Sequence, residues 1–442
     1  MIKISLILLL CLAFCSSKAQ FKTTPKITTS AALPEDNFTG IVVDNYPNGQ
    51  PKLWKEMQAG QASGTWIEWF PNGKIRYQAA WKNNKGHGHW LYFHPNGQVK
   101  YEAVFVEDIP QGISRTYYEN GQLETEEIYV NGQLHGRSKT YDKTGFLVEN
   151  VLYQKGKKII DQPIPFAQGI ISTTEHQEFG LTFSPDGKEL YFCRRKAGQK
   201  AQKIYYSQWQ NNSWTAPVLA SFSTHTDEAP HYSQDGKRLY FASYRPLPKH
   251  SSGSSMDMNI WYVDKQEDSW GNPIPFSFNQ VMQEGEQWPL HYETSPMTDA
   301  AGNLYYWSKS PKDNSTDLYK ATRNPSNDFS PPQALPAPIN SPAYETGLTF
   351  SPDGNYVFFG SSRKEGSYGQ EDIYYAKWEN GQWSTPKNLG SKINSAHNEA
   401  GPIFSPDGQY FYFASDRGEE KDADGNRIWS IYYLESSSLL VD

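Results

Sequence analysis

The stretch Glu345-Thr-Gly-Leu-Thr-Phe-Ser-Pro-Asp353-Gly354 decides the fold, because it returns along the chain. Near copies are Glu178-Phe-Gly-Leu-Thr-Phe-Ser-Pro-Asp186-Gly187 and Glu399-Ala-Gly-Pro-Ile-Phe-Ser-Pro-Asp407-Gly408. Glu228-Ala-Pro-His-Tyr-Ser-Gln-Asp235-Gly236 and Glu293-Thr-Ser-Pro-Met-Thr-Asp-Ala-Ala301-Gly302 align with them, the latter with Ala301 in place of the turn Asp. The repeat distance is roughly fifty to sixty-five residues, and fixed self-similarity marks a repeat architecture. Each copy leads into an aromatic strand: Leu190-Tyr191-Phe192, Leu239-Tyr240-Phe241, Leu304-Tyr305-Tyr306, Val357-Phe358-Phe359 and Phe411-Tyr412-Phe413. A further strand follows, such as Asp372-Ile373-Tyr374-Tyr375, and then Trp with Pro, as in Trp214-Thr215-Ala216-Pro217 and Trp383-Ser384-Thr385-Pro386. That order of strands and turns is the order of a four-stranded propeller blade.

Five blades are counted, and the fifth lacks an outer strand after Ile431-Tyr432-Tyr433. The segment from Ile159 to Phe166 aligns with the outer strand of blade four, Trp383 to Leu389. The start of the domain is therefore expected to supply the missing strand and close the ring, which removes free sheet edges.

Ahead of this region lies a second repeat with a step of 24. Glycines fall at 40, 64, 88, 112 and 136, and again at 49, 73, 97, 121 and 145. The second set closes Tyr46-Pro47-Asn48-Gly49, Phe70-Pro71-Asn72-Gly73, His94-Pro95-Asn96-Gly97 and Tyr118-Glu119-Asn120-Gly121. Asn-Gly predicts tight hairpin turns with two positive-φ residues. A third set of turn residues, Gly60, Asn84, Asp108, Gly132 and Gly156, keeps the step. Each unit is two short strands and two turns. Trp81, Phe105, Tyr129 and Tyr153 hold one place in the unit and are expected to form an aromatic ladder.

The 24-residue region resembles the MORN family in its variant bacterial form, on Gly64-Thr65-Trp66 and Gly88-His89-Trp90 followed by Pro-Asn-Gly. The resemblance implies one elongated, twisted sheet used for protein or lipid contact. The Ser-Pro-Asp-Gly blades resemble the TolB-like propellers, from about Pro163 to Leu434. Six blades, usual for that type, is the alternative to five. The fold class expected is all-β, a MORN-type hairpin sheet at 39–160 followed by a TolB-like propeller at 161–442. Residues 1–19 are expected to be a signal peptide and 20–38 a linker.

The signal peptide is read from Lys3, the apolar run Ile4 to Phe14, and Ser16-Ser17-Lys18-Ala19, with cleavage after Ala19. Phe14 stands where a lipoprotein signal wants a small residue, so cleavage is favoured over anchoring at Cys15. The three cysteines then reduce to Cys193, and no internal disulfide is possible. The net charge of −7, without a basic block, argues against nucleic acid and against electrostatic membrane attachment. No later stretch reads as a transmembrane segment. Aromatics make up 15% of the chain, and with 34 Gly and 29 Pro they read as short strands and tight turns.

The candidate site is a ring of glutamates at the channel mouth: Glu178, Glu228, Glu293, Glu345 and Glu399, each at the start of an innermost strand. Basic residues recur ten positions after the turn Asp, at Lys196, Arg245, Arg363 and Arg417. Close carboxylates must shift their pKa values or find cations. Two outcomes are open. Each Glu pairs with an Arg and knits the ring, or the ring binds a cation, a sugar or a peptide amine. Ser-Pro-Asp-Gly is read as structural. Asp422-Ala-Asp-Gly-Asn426 lacks calcium-loop spacing and reads as a solvated loop. Pro246 to Asn259 reads as a surface loop, while Trp288, His291 and Tyr292 offer an aromatic platform whose commoner use is packing.

Catalytic signatures are missing: no Gly-x-Ser-x-Gly, no His-Glu-x-x-His, no phosphate-cradling loop. No cofactor and no metal site is expected. The function expected is an exported, periplasmic or cell-surface binding and scaffold protein whose partner is another envelope protein, by resemblance to TolB. The alternative is a carbohydrate-binding protein or glycosidase that uses two of the ring glutamates as an acid and base pair.

Overall fold

The computed structural model describes residues 25–32, 37–196, 199, 201–247, 258–267, 269–276, 292–310, 315–326, 328–422 and 425–439. Cys11, Cys15, Trp288, His291 and most of the Pro246–Asn259 loop lie outside these residues. The described chain is all-β, with no α-helix and only two short 3-10 turns. None of its helices is long and apolar enough to cross a membrane. It divides into two compact units, Met1–Ile159 and Ile160–Asp442.

The first unit is a single 13-stranded sheet in which neighbours in sequence are neighbours in space. The pairing is antiparallel, except that Ile27–Thr28 runs parallel to Gly40–Asn45. The two turns of each unit differ from the sequence expectation. At Asn-Gly only the glycine has positive φ, as at Gly73 (80°). The Gly73 N–H donates to the Phe70 carbonyl at 2.9 Å, and Phe70 N–H donates to Lys74 across a bulge. The turn is centred on Pro71-Asn72 and closes on the glycine; Glu119-Asn120 makes the same turn without a proline, so the proline suits this turn through its fixed negative φ but does not cause it. The doubly positive turns lie instead at the third set, with Asn83 and Asn84 at 52° and 61° and Glu107 and Asp108 at 52° and 70°.

The freed asparagines take another task. Asn72 Nδ2 donates to the Pro95 carbonyl at 3.0 Å, one unit on, while its Oδ1 accepts the Lys74 N–H at 3.0 Å. Asn48, Asn96 and Asn120 do the same toward Pro71, Glu119 and Lys143. The 24-residue step thus becomes a ladder along one edge. On the other edge Asn84 and Asp108 accept the Ala62 and Gly86 N–H groups. The ring contacts run Trp66, Trp81, Trp90 and Phe105, with centroids 4.7–5.2 Å apart. The expected ladder is thus replaced by one that includes Trp90 and that neither Tyr129 nor Tyr153 joins. Gly64 has a packing reason as well: a Cβ there would meet the Glu56 carboxylate at 2.0 Å.

The second unit is a five-bladed propeller, which removes the six-bladed alternative. Its inner strands are His176–Phe183, Asp227–Tyr232, Thr294–Thr298, Glu345–Phe350 and Glu399–Phe404. Blade five is completed by Ile164–Pro165, where Ile164 pairs with Tyr433 and Pro165 with Tyr432. Five apolar clusters sit at the five blade interfaces. Phe192 and Tyr412 share one, Tyr191 and Phe241 the next, Tyr240 and Tyr306 the third, Tyr305 and Phe359 the fourth, and Phe358 and Phe413 the last. The second strand feeds both sides, because alternate residues face opposite blades. Each large apolar chain fully buried there contributes about 1.5–3 kcal/mol.

The Ser-Pro-Asp-Gly turns are built alike. Ser184 Oγ donates to Asp186 Oδ1 at 2.6 Å, and that oxygen also accepts the Lys188 N–H at 3.1 Å. In blade three Asp299 moves two positions upstream and takes the Ala301 and Asn303 N–H groups, which makes good the loss at Ala301.

Candidate functional site

A buried acid opens the inner strand in every blade, and in four blades an arginine holds it. Glu345 Oε1 accepts Arg363 Nη2 at 3.1 Å and the Ser341 hydroxyl at 2.6 Å. Glu399 Oε1 accepts Arg417 Nη2 at 3.0 Å and Ser395 at 2.6 Å. Glu178 accepts Arg194 Nε at 3.0 Å and the Thr173 hydroxyl at 2.8 Å. All three carboxylates are fully buried. In blade two the acid is Asp227, which accepts Arg245 Nη2 at 3.0 Å and Ser223 Oγ at 3.0 Å.

Each guanidinium also donates to a carbonyl in the link from the preceding blade: Ile171, Phe222, Ile339 and Ile393. Its flat faces lie near rings of the second and third strands, such as Phe241 and Trp261 at 5.1 and 5.2 Å from Arg245. The next link residue turns back to the previous blade. Asn394 Oδ1 accepts the Ile373 N–H at 2.8 Å, and its Nδ2 donates to the Ile373 carbonyl at 2.9 Å. One latch thus joins the third strand of one blade to the first two strands of the next. Burial pushes the Glu178 and Glu345 carboxyls up, and the arginines and hydroxyls pull them back. Removing either partner would leave an uncompensated buried charge.

The structure places the remaining candidates elsewhere. Lys196 is exposed, with its Nζ 5.9 Å from the Tyr205 ring, and Arg194 stands in its stead. Glu293 is buried, and its N–H donates to the Met258 carbonyl. Glu228 is one residue past the latch position. It accepts the Thr294 hydroxyl at 2.7 Å, the Gln202 amide and the Tyr292 hydroxyl at 3.4 Å. No cation pairs with it among the described residues, and burial raises its pKa. Glu371 was not legible as a candidate. It accepts the Thr346 hydroxyl, and burial raises it to about 7. Gln177 Nε2 donates to Asp422 Oδ2 at 3.2 Å, so that loop aspartate also holds blade one. Among the described residues no three His, Cys, Asp or Glu are grouped to hold a metal ion.

Two residues beyond each acid stands a small residue: Gly180, Ala229, Ser295, Gly347 and Gly401. Four of the five have φ between 50° and 60°. A Cβ on Gly347 would lie 3.6 Å from Ser295 and 3.9 Å from Gly401, so the inner strands approach closely here. On the Ser-Pro-Asp-Gly side of this constriction the channel widens to a cavity of ≈ 1100 Å³.

The MORN repeat variant family matches residues 62–83, 86–107 and 110–131, three of the five units. No curated protein matches the chain. Similar solved structures include a family 117 glycoside hydrolase from the marine bacterium Zobellia galactanivorans. It is 14% identical, covers 64% of this chain and 92% of its own, and has a TM-score of 0.41. Hydrazine synthase of Kuenenia stuttgartiensis is 16% identical over 66% of this chain and 70% of its own, with a TM-score of 0.31. The periplasmic gluconolactonase of Pseudomonas aeruginosa is 14% identical over 72% and 80%, with a TM-score of 0.33. No activity carries over from any of them.

Proposed function

We propose that this chain is an exported binding and scaffold protein of the bacterial cell envelope, with another envelope protein as its partner. One observation carries the reading. The hairpin sheet leaves apolar side chains in water along its later units: Val106, Ile113, Val130, Phe146 and Val148, with Phe146 71% exposed. Exposed apolar groups gathered on a repeat surface are contact chemistry. The buried acids support the same reading, because a carboxylate locked to arginine is poorly placed for proton transfer. Glycosidase chemistry on the glutamate ring is disfavoured for that reason: it needs two carboxyls in unlike environments, and the latched acids share one. A TolB-like role and cleavage after Ala19 belong to this proposal and rest on the sequence.

The test is capture of partners from envelope extract by residues 20–442, beside a form carrying Phe146→Ser and Val148→Ser. A defined protein partner lost only in the double variant supports the reading. Equal capture by both forms, or no protein partner, overturns it.

A further inference from the structure

The channel cavity holds polar groups that the fold does not use. Thr298 N–H donates to His231 Nε2 at 2.9 Å, so that nitrogen is an acceptor. Burial pushes the ring down to about 4, so it is neutral and its hydrogen sits on Nδ1. Nδ1–H makes no hydrogen bond among the described residues, and His231 lines the cavity. The Thr349 hydroxyl lines it too and is likewise without a partner among the described residues. Lys320 has no carboxylate partner among the described residues; its Nζ lies 5.4 Å from the Tyr305 ring. Two aspartates on the same wall are engaged: Asp299 with Tyr305 and backbone N–H groups, Asp353 with Ser351 and Asn355. Beside them Phe350 and Trp383 stack at 6.0 Å and 24°, both facing the cavity.

We infer that this cavity is a saccharide-binding site. Phe350 and Trp383 offer the flat surface, and His231 Nδ1–H, Thr349 Oγ1 and Lys320 Nζ bond hydroxyls. A pyranose offers both halves of that match, an apolar C–H face and a rim of hydroxyls. The volume admits a short oligosaccharide. The charged side chains among the described lining residues are Lys320, Asp299 and Asp353, one cation against two carboxylates that no cation pairs, so neutral sugars bind ahead of acidic ones. The site is separate from the glutamate latches and independent of the sheet's protein contacts, so either proposal can fail alone.

The test is calorimetric titration of residues 20–442 with tetragalacturonate, cellotetraose and tetra-alanine. Cellotetraose is expected to bind ahead of tetragalacturonate, and tetra-alanine not to bind. His231→Phe is expected to weaken both sugars about tenfold, the value of one lost hydrogen bond in a partly closed site. Lys320→Gln removes the one cation among the described lining residues and leaves the two carboxylates, so it is expected to weaken tetragalacturonate more than cellotetraose. Trp209→Ala, at an exposed tryptophan of blade one outside this cavity, is expected to change nothing. The inference falls if neither sugar binds at about 10 mM, a free energy below useful recognition. It falls equally if tetra-alanine binds as well as the sugars, or if tetragalacturonate binds ahead of cellotetraose. The order of the three ligands on the unaltered protein decides the matter should His231→Phe not fold.

Discussion

Arg363 reaches Glu345 with two nitrogens, Nη2 at 3.1 Å and Nε at 3.2 Å, and still donates to the Ile339 carbonyl of the link before it. The pair is a joint between blades as much as an ion pair. Arg363→Met leaves Glu345 buried without a counter-charge and is expected to cost about 3–5 kcal/mol. Arg363→Met with Glu345→Leu removes both charges and is expected to cost less than the single change. Chemical denaturation of the three proteins measures it, and equal or additive losses would count against a latch.

Glu371 gives a pH signature. Burial raises its carboxyl from 4.5 to about 7, so the folded protein keeps a proton that the unfolded chain releases. Its contribution is full below pH 4.5 and lost as the pH rises through about 7. Glu371→Gln is expected to raise the melting temperature more at pH 8 than at pH 5. An equal shift at both would refute the assignment.

Each asparagine of the turn ladder is exposed and makes two bonds. Asn72→Ala is expected to destabilise the hairpin sheet by about 1 kcal/mol. Asn72→Asp keeps the acceptor for Lys74 and loses the donor to Pro95, so it should fall between the two. A cost in the aspartate variant equal to that of alanine would show that the link to the next unit carries the whole effect.

Cys193 is fully buried, and its sulfur accepts the Ala229 N–H at 3.0 Å. Burial raises the thiol well above its usual range. In residues 20–442 it should not react with a thiol reagent in buffer and should react fully in denaturant. Labelling in the native state would mean that blade one opens.

The closing strand has its own test. A chain starting at Ile160 keeps Ile164 and Pro165 against Tyr433 and Tyr432 and should unfold in one transition. A chain starting at Phe166 lacks them, and its exposed sheet edge should drive association. Light scattering during refolding separates the two.

Much of the architecture was readable because repeats say the same thing several times. The closing segment was found from the match between Ile159–Phe166 and the outer strand of blade four. The latch was half readable. Spacing marks the acid eight residues before the turn Asp, which names Asp227 in blade two; aligning on Glu228 slipped the register by one residue. Arg194 escaped because blade one places its arginine directly opposite Glu178, where the other latched blades carry Ser243, Ser361 and Ser415. The turn types were misplaced because Asn-Gly was taken as the centre of the turn, whereas the centre lies one residue earlier and the glycine closes it, with or without a proline. His231 was out of reach altogether: its tautomer depends on Thr298, a residue of another blade, and no local pattern announces that meeting.

The pairing of Ile164 with Tyr433 also orders events in time. A growing chain makes one half of this seam before any blade exists and the other half after four blades and most of the fifth. Until then the ring is an open arc, with unsatisfied backbone at both lips. The molecule cannot complete itself as it is made, and must be kept from its neighbours until its final strand arrives.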